Sequence, residues 1–205
     1  MKDVRTKPLP VQQAPADRPS EAMESFVARI DPEVAQMLEA DGALDALELT
    51  AGSSLQNPMY LFRGDAPVHE LAAAMGQPAR LGLRLFGRRF MRTYPYEEGY
   101  LRTPALRVRE AVAMPLVFLG GVSHLATVHR ALADGFELVA MGRALLYEPD
   151  LVDRYRREEA DEARCIHCNR CMATIYTGTH CVLVPPADRP GAEGRTAGGT
   201  GGAIR

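Results

Sequence analysis

FLGGV at residues 118–122 and VAMGR at residues 139–143 are short apolar runs that each end in glycine, about one helix apart, and the second adds an arginine. Each run reads as the end of a strand, PLVFL (115–119) and FELVA (136–140), with a helix from about 124 to 134 between them. A strand, a helix and a second strand in this order specify a parallel pair joined by a right-handed crossover. Glycine at the carboxyl end of such a strand lets the backbone come close to a ligand, with free N–H groups pointing outward. Two junctions on neighbouring strands can surround a phosphate with amide donors, and an arginine beside one of them adds a charge-assisted bond. Gly120, Gly121, Gly142 and Arg143 are therefore the candidate anion-binding residues. A plainer reading stands beside this one, in which the glycines only make tight turns and Arg143 caps a helix or pairs with an acid.

Upstream, LDALEL (44–49) reads as a third, buried strand. It follows the helix PEVAQMLEAD, which has Asp31 placed as N-cap, Pro32 at the first helical position, and Gly42 at its end. The stretch TAGSSLQNPMYLFRGDAP then reads as a long loop carrying Tyr60, Arg63 and Asp65, with Arg63 and Asp65 placed to form a turn. Short helices are expected near 67–75 and 96–112, and a further helix from roughly 149 to 160. The alternation predicts an α/β fold with three parallel strands. Three strands cannot close a (β/α)₈ barrel, which takes about eight and around 250 residues.

With 24 Lys and Arg against 26 Asp and Glu, the net charge of −2 gives no electrostatic reason to expect nucleic acid or an anionic membrane as partner. No apolar run approaches the roughly 20 residues of a membrane span. MKDVRTKPLPVQQ lacks the apolar stretch of a signal peptide, so the expected location is the cytoplasm. There, cysteines are thiols or metal ligands rather than disulfides. All 4 cysteines fall within CIHCNRCMATIYTGTHC, as Cys165, Cys168, Cys171 and Cys181. Three thiols in a compact run and a fourth further on resemble iron–sulfur ligation more than a zinc ribbon. A zinc site completed by His167 or His180, or free thiols, remain the alternatives.

ELTAGSS, NPMYLFRGDAP, MPLVFLGGVSH and VAMGRALLYEPDLV, in that order, resemble the C-terminal half of the Old Yellow Enzyme-like NADH:flavin oxidoreductases. The likeness covers about residues 31 to 183. It implies an FMN-dependent TIM barrel of which this chain holds about the last three βα units, LDALEL, PLVFL and FELVA being strands six to eight. Gly120, Gly121, Gly142 and Arg143 would then be the FMN-phosphate positions. CIHCN is similar to the cysteine run of a 2,4-dienoyl-CoA reductase-like branch that carries a [4Fe-4S] cluster. The middle and last gaps here are shorter than that branch's, which keeps zinc open.

The resemblance implies an oxidoreductase polypeptide with NAD(P)H as reductant and a small-molecule substrate, and a fragment of the whole enzyme. The family's carbonyl-anchoring His/His or His/Asn pair, and often a proton-donating Tyr, come from earlier strands. None of His69, His124, His129, His167 and His180 stands in such an arrangement, so no catalytic residue is assigned. The expected organisation is a poorly ordered lead-in (1–30), a half-barrel FMN-phosphate region (31–160), the cysteine segment (161–184) and a disordered tail (185–205). A complementing N-terminal half-barrel, or self-association, is the expected partner. The alternative function is a non-catalytic metal- or partner-binding module.

Overall fold

The structure, a computed structural model, describes residues 32–51, 58–176 and 178–189. The lead-in, Asp31 and all of the tail beyond Arg189 lie outside the described residues. Three short strands form one parallel sheet in the order β1 (Leu47–Leu49), β2 (Leu116–Phe118), β3 (Leu138–Val139). Leu47 pairs with Leu116 and Leu49 with Phe118, while Val117 pairs with Leu138 and Phe118 with Val139. Each strand is shorter than its apolar run. Leu44 to Ala46 precede β1, and Phe136 leaves the sheet to fill the core.

Register decides what each face does. Leu49, Phe118 and Val139 share one face and meet Ala105, Val108 and Phe136 in the main apolar cluster. Phe118 and Phe136 sit with ring centroids 5.2 Å apart. Helices α5 (Arg102–Ala111) and α6 (Leu125–Ala133) contribute Ala105, Val108 and Ala131 to this cluster. Glu48, Val117 and Leu138 share the opposite face, where Glu48 is exposed and Leu138 is 57% exposed. A parallel strand is ordinarily covered on both faces. Here one face stays open among the described residues.

Polar groups pin the ends of the sheet. Glu39 of α1 (Pro32–Asp41) accepts the Ala113 and Met114 N–H groups at 2.7 and 2.6 Å. Glu137 accepts the Leu116 N–H at 2.7 Å. Arg102 grips Asp134 with two bonds of 2.6 and 2.7 Å, tying the start of α5 to the turn before β3.

The region between β1 and β2 is more helical than the sequence reading expects. It holds α2 (Pro58–Leu61), α3 (Val68–Ala74) and α4 (Ala79–Phe90) before α5 begins at Arg102. In helix α4 Leu83 and Gly87 turn inward, while Leu81, Leu85 and Phe86 are exposed. After β3 come α7 (Arg143–Tyr147) and α8 (Leu151–Arg156), the latter shorter than the expected 149–160. A 3₁₀ segment spans Arg170–Tyr176. Residues 185–189 do not belong to a disordered tail. They make a 3₁₀ turn at Pro186–Asp188, with proline at its start and Arg189 Nε donating to Val184 O at 3.0 Å. Among the described residues no helix is long and apolar enough to cross a membrane.

Candidate functional site

The two glycine junctions come together where β2 and β3 end. Gly120, Gly121, Gly142 and Arg143 line one cavity of about 290 Å³, with Thr50, Tyr96, Tyr100, Ser123 and His167 around them. Gly120 and Gly121 have φ of +133° and +73°, conformations that favour glycine. A Cβ on Gly120 would stand 2.7 Å from the Leu101 side chain, and one on Gly121 would stand 2.6 Å from Glu97 O. The requirement for glycine at these positions therefore comes from the segment leading into α5. Gly142 differs, with open space where a Cβ would be. Glu48 borders the same cavity and sets a carboxylate on its β1 side.

Arg143 is the half-buried centre of the arrangement. Its Nη1 donates to Phe62 O at 2.6 Å, to Arg63 O at 2.8 Å, and to Asn169 Oδ1. All three acceptors are neutral. An arginine carries five N–H donors, so Nε and Nη2 hold donors beyond those three bonds. The expected pairing with an acid is not what the structure shows, since none of the ion pairs among the described residues involves Arg143. A half-buried cation without a counter-charge favours an incoming anion.

The expected turn between Arg63 and Asp65 is replaced by other bonds. Arg63 lies over the Tyr60 and Tyr100 rings at 5.2 and 4.7 Å and pairs with Glu97 at 3.2 Å. Asp65 gives its N–H to His167 O at 3.1 Å. Tyr60 is buried against Leu101.

Residues 161–169 cross the ends of β2 and β3 and bring the cysteine segment against the cavity. Ala163 N–H donates to Ser123 O at 2.8 Å, and Leu125 N–H to Asp161 O at 2.8 Å. Behind them Glu148, with no exposed side-chain surface, binds Arg154, the Arg164 backbone N–H and Arg164 Nε. Burial opposes its ionisation, but those donors outweigh it and hold the carboxyl below its ordinary range.

His167 then stacks on Tyr96 with ring centroids 3.4 Å apart. Its Nε2 is 3.5 Å from Ser123 Oγ and its Nδ1 is 3.9 Å from Cys165 Sγ. Burial, with the charge of Arg143 second, lowers its pKa to about 4, so the ring is neutral near pH 7. Tyr96 donates to Glu98 and lies 2.9 Å from Ser123 Oγ; burial first, then the bond to Glu98, raises its pKa. Glu98 accepts the N–H groups of Ser123 and His124 at 2.7 and 2.9 Å. Its burial works against ionisation, yet these donors win and lower its pKa.

Cys165, Cys168, Cys171 and Cys181 all border a second, small cavity of about 20 Å³, together with Arg143 and Asn169. The space suits a guest no larger than about one water. Burial raises the Cys165 and Cys171 thiols, while the charge of Arg143 works the other way. The set of four soft sulfur donors suits thiolate-bound iron or zinc. The geometry is less complete, because no three His, Cys, Asp or Glu among the described residues converge on one point as metal ligands. His180 has Nδ1 2.6 Å from Gly178 O, a bond that leaves Nε2 as its metal-binding nitrogen. His69 and His129 lie on α3 and α6, and His124 sits 3.2 Å from Glu98 and 3.4 Å from Glu162. Arg143 also borders a third, largely apolar cavity of about 910 Å³, walled by Phe62, Leu71, Leu83, Leu145 and Met172 and touching Cys171.

Sequence reasoning missed Tyr96, Glu98, Ser123 and Asn169. These are ordinary polar residues that carry no motif spacing, and only the fold brings them beside Arg143.

The chain is 51% identical over 150 residues to 4,4'-dithiodibutanoate disulfide reductase of Rhodococcus erythropolis. The match takes in 73% of this chain and 37% of that protein, so the chain spans little more than a third of its relative's length. No family model matches the chain, and no solved structure matches it.

Proposed function

We propose that the chain is the phosphate-binding portion of an FMN-dependent oxidoreductase. It would form the last βα units of a (β/α)₈ barrel of the NADH:flavin oxidoreductase kind, completed by further polypeptide. The observation that carries this reading is Arg143, a half-buried cation with no carboxylate partner among the described residues. It sits beside the glycine junctions of two adjacent parallel strands. In such barrels the loops after the seventh and eighth strands are the usual phosphate site. The backbone at Gly120, Gly121 and Gly142 and the spare donors of Arg143 would hold the phosphate. Glu48 and Thr50, on the β1 side of the cavity, offer acceptors to hydroxyl groups of the ribityl chain. When bound, FMN would supply two-electron transfer from NAD(P)H to the substrate.

The relative's name supports a disulfide as that substrate. Such a reaction is balanced by a hydride and a proton from NAD(P)H and solvent, which convert R–S–S–R into two thiols. The large apolar cavity, with Cys171 at its wall, would suit the aliphatic part of such a disulfide.

Arg143→Ala removes a charge-assisted interaction worth about 1.5–3 kcal/mol. The expected result is FMN binding weakened about tenfold or more, read by quenching of flavin fluorescence. An unchanged dissociation constant would overturn the assignment.

The four cysteines would hold one metal centre, iron–sulfur by the chemistry of the donor set, for which the cysteine segment would open beyond the water-sized space now between the sulfurs. Anaerobic purification should give a brown protein containing iron. Zinc in its place would support the metal-binding alternative, and neither metal would overturn both.

A further inference from the structure

We propose that Asn169 is a positioning residue that couples anion binding at Gly120, Gly121 and Arg143 to the conformation of the cysteine segment. The inference rests on the phosphate reading above and adds to it a connection between the two candidate sites. Asn169 follows Cys168 directly and is 1% exposed, among the most buried polar side chains of the protein. Its Nδ2 donates to Phe62 O at 2.8 Å and to Asp65 O at 2.9 Å, and its Oδ1 accepts from Arg143. Arg143 in turn donates to Phe62 O and Arg63 O. One amide thus holds three things in register: the loop at 62–65, the guanidinium that faces the glycine cavity, and the backbone between two of the four cysteines.

The backbone agrees with this assignment. Asn169 has φ of +55°, a left-handed conformation that asparagine tolerates better than most residues. Two residues earlier, Gly64 closes on His167, and a Cβ at Gly64 would stand 2.2 Å from His167 O. The 62–65 loop and the 167–169 turn therefore cannot shift separately without breaking a close backbone contact. Arg143 also borders both the glycine cavity and the thiol cavity. An anion that fixes Arg143 fixes the acceptor it shares with Asn169, and hence the segment carrying Cys165 and Cys168. By thermodynamic reciprocity, a disordered cysteine segment must weaken anion binding by the same factor.

The test uses the reduced, metal-stripped full chain, so that protection by a metal does not enter. Each thiol's rate of alkylation by N-ethylmaleimide is followed by mass spectrometry, with no addition, with saturating FMN, with inorganic phosphate, or with riboflavin. FMN and inorganic phosphate should slow labelling of Cys165 and Cys168 by about fivefold, the lower end of typical coupling between sites. Riboflavin, lacking the phosphate, should not.

The informative variant is Asn169→Gly, which tolerates the positive φ and removes only the side chain. At its own saturating FMN it should show no slowing, while circular dichroism confirms the fold. Asn169→Asp, which gives Arg143 a carboxylate partner and loses the Nδ2 donors, should weaken FMN binding itself and show no more slowing than Asn169→Gly. Equal protection in Asn169→Gly and the unaltered chain would overturn the proposal, because FMN would then be shielding the thiols directly. So would binding of FMN with no slowing in the unaltered chain. Failure of the unaltered chain to bind FMN at all would overturn the phosphate reading, and this inference with it.

Discussion

Replacing Glu148 with alanine is expected to lower the unfolding free energy by about 3 kcal/mol, near the lower end for breaking a buried ion pair by removing one partner. The carboxylate has no exposed surface and serves three donors on two other segments: Arg154 of α8, and the backbone and side chain of Arg164. Alanine leaves the Arg164 N–H and two guanidiniums without their acceptor. Arg154 is 21% exposed and Arg164 65% exposed, so water can recover part of the loss, which is why the upper end of the range is not expected. The pH dependence has a fixed sign. A carboxyl held below its ordinary range in the folded chain stabilises above the unfolded glutamate pKa, and that stabilisation is lost as pH falls through the folded value. Urea midpoints of the two proteins should therefore differ at neutral pH and converge in acid. A constant difference down to acid pH would show that Glu148 acts through packing alone. Loss of Glu148 should also release Arg164, and with it the start of the cysteine segment.

The strands, α5 and α6, and the two glycine junctions were legible because they follow from period and punctuation: apolar runs, a helix-length gap, then glycine. The order β1-β2-β3 and its parallel sense follow from the same alternation. Helix α4 was legible but not read: Ala79, Leu83, Phe86 and Phe90 recur at i, i+4, i+7 and i+11, an apolar stripe of helical period among arginines and glycines. The strand lengths were overread. Phe136 is as apolar as a strand residue, but it is spent on the core beside Phe118 instead of on the ladder. At the site, charge and spacing picked out Arg143 and the cysteines, but not what holds them. Asn169 sits inside CIHCN as a polar residue between ligand candidates, and its tertiary acceptors Phe62 O and Asp65 O lie more than a hundred positions away in sequence. Nothing local in either stretch predicts the other. The two histidines considered for zinc separate on the same grounds, His167 turning to Tyr96 and Ser123 and His180 to its own turn.

The isolated chain is expected to bind FMN and yet fail to turn over. The sheet face carrying Glu48, Val117 and Leu138 has no covering layer among the described residues, and Leu138 is 57% exposed. In a closed barrel this is the face that inward side chains from all strands would fill. The outer edges of β1 and β3 have no neighbouring strand among the described residues, and edges of that kind invite pairing with another chain. A flavin held only by its phosphate would keep its ring unsupported. Of the groups near Arg143, His167 is already unprotonated near pH 7 and Tyr96 is held protonated by burial and by its bond to Glu98, so neither readily supplies a proton to a departing thiolate. With the relative spanning far more chain than this one, the remaining groups are expected from elsewhere. The assay mixes purified chain, FMN and NADPH, then follows NADPH oxidation with 4,4'-dithiodibutanoate or cyclohexenone while light scattering reports the mass. The expected outcome is no turnover above the protein-free rate, with a mass above that of the monomer. Leu138→Glu should shift that mass toward the monomer, since it places a charge on the open apolar face. Turnover on the order of 1 s⁻¹ or faster from a monomeric species would show that the chain is an enzyme by itself and that its open face needs no partner.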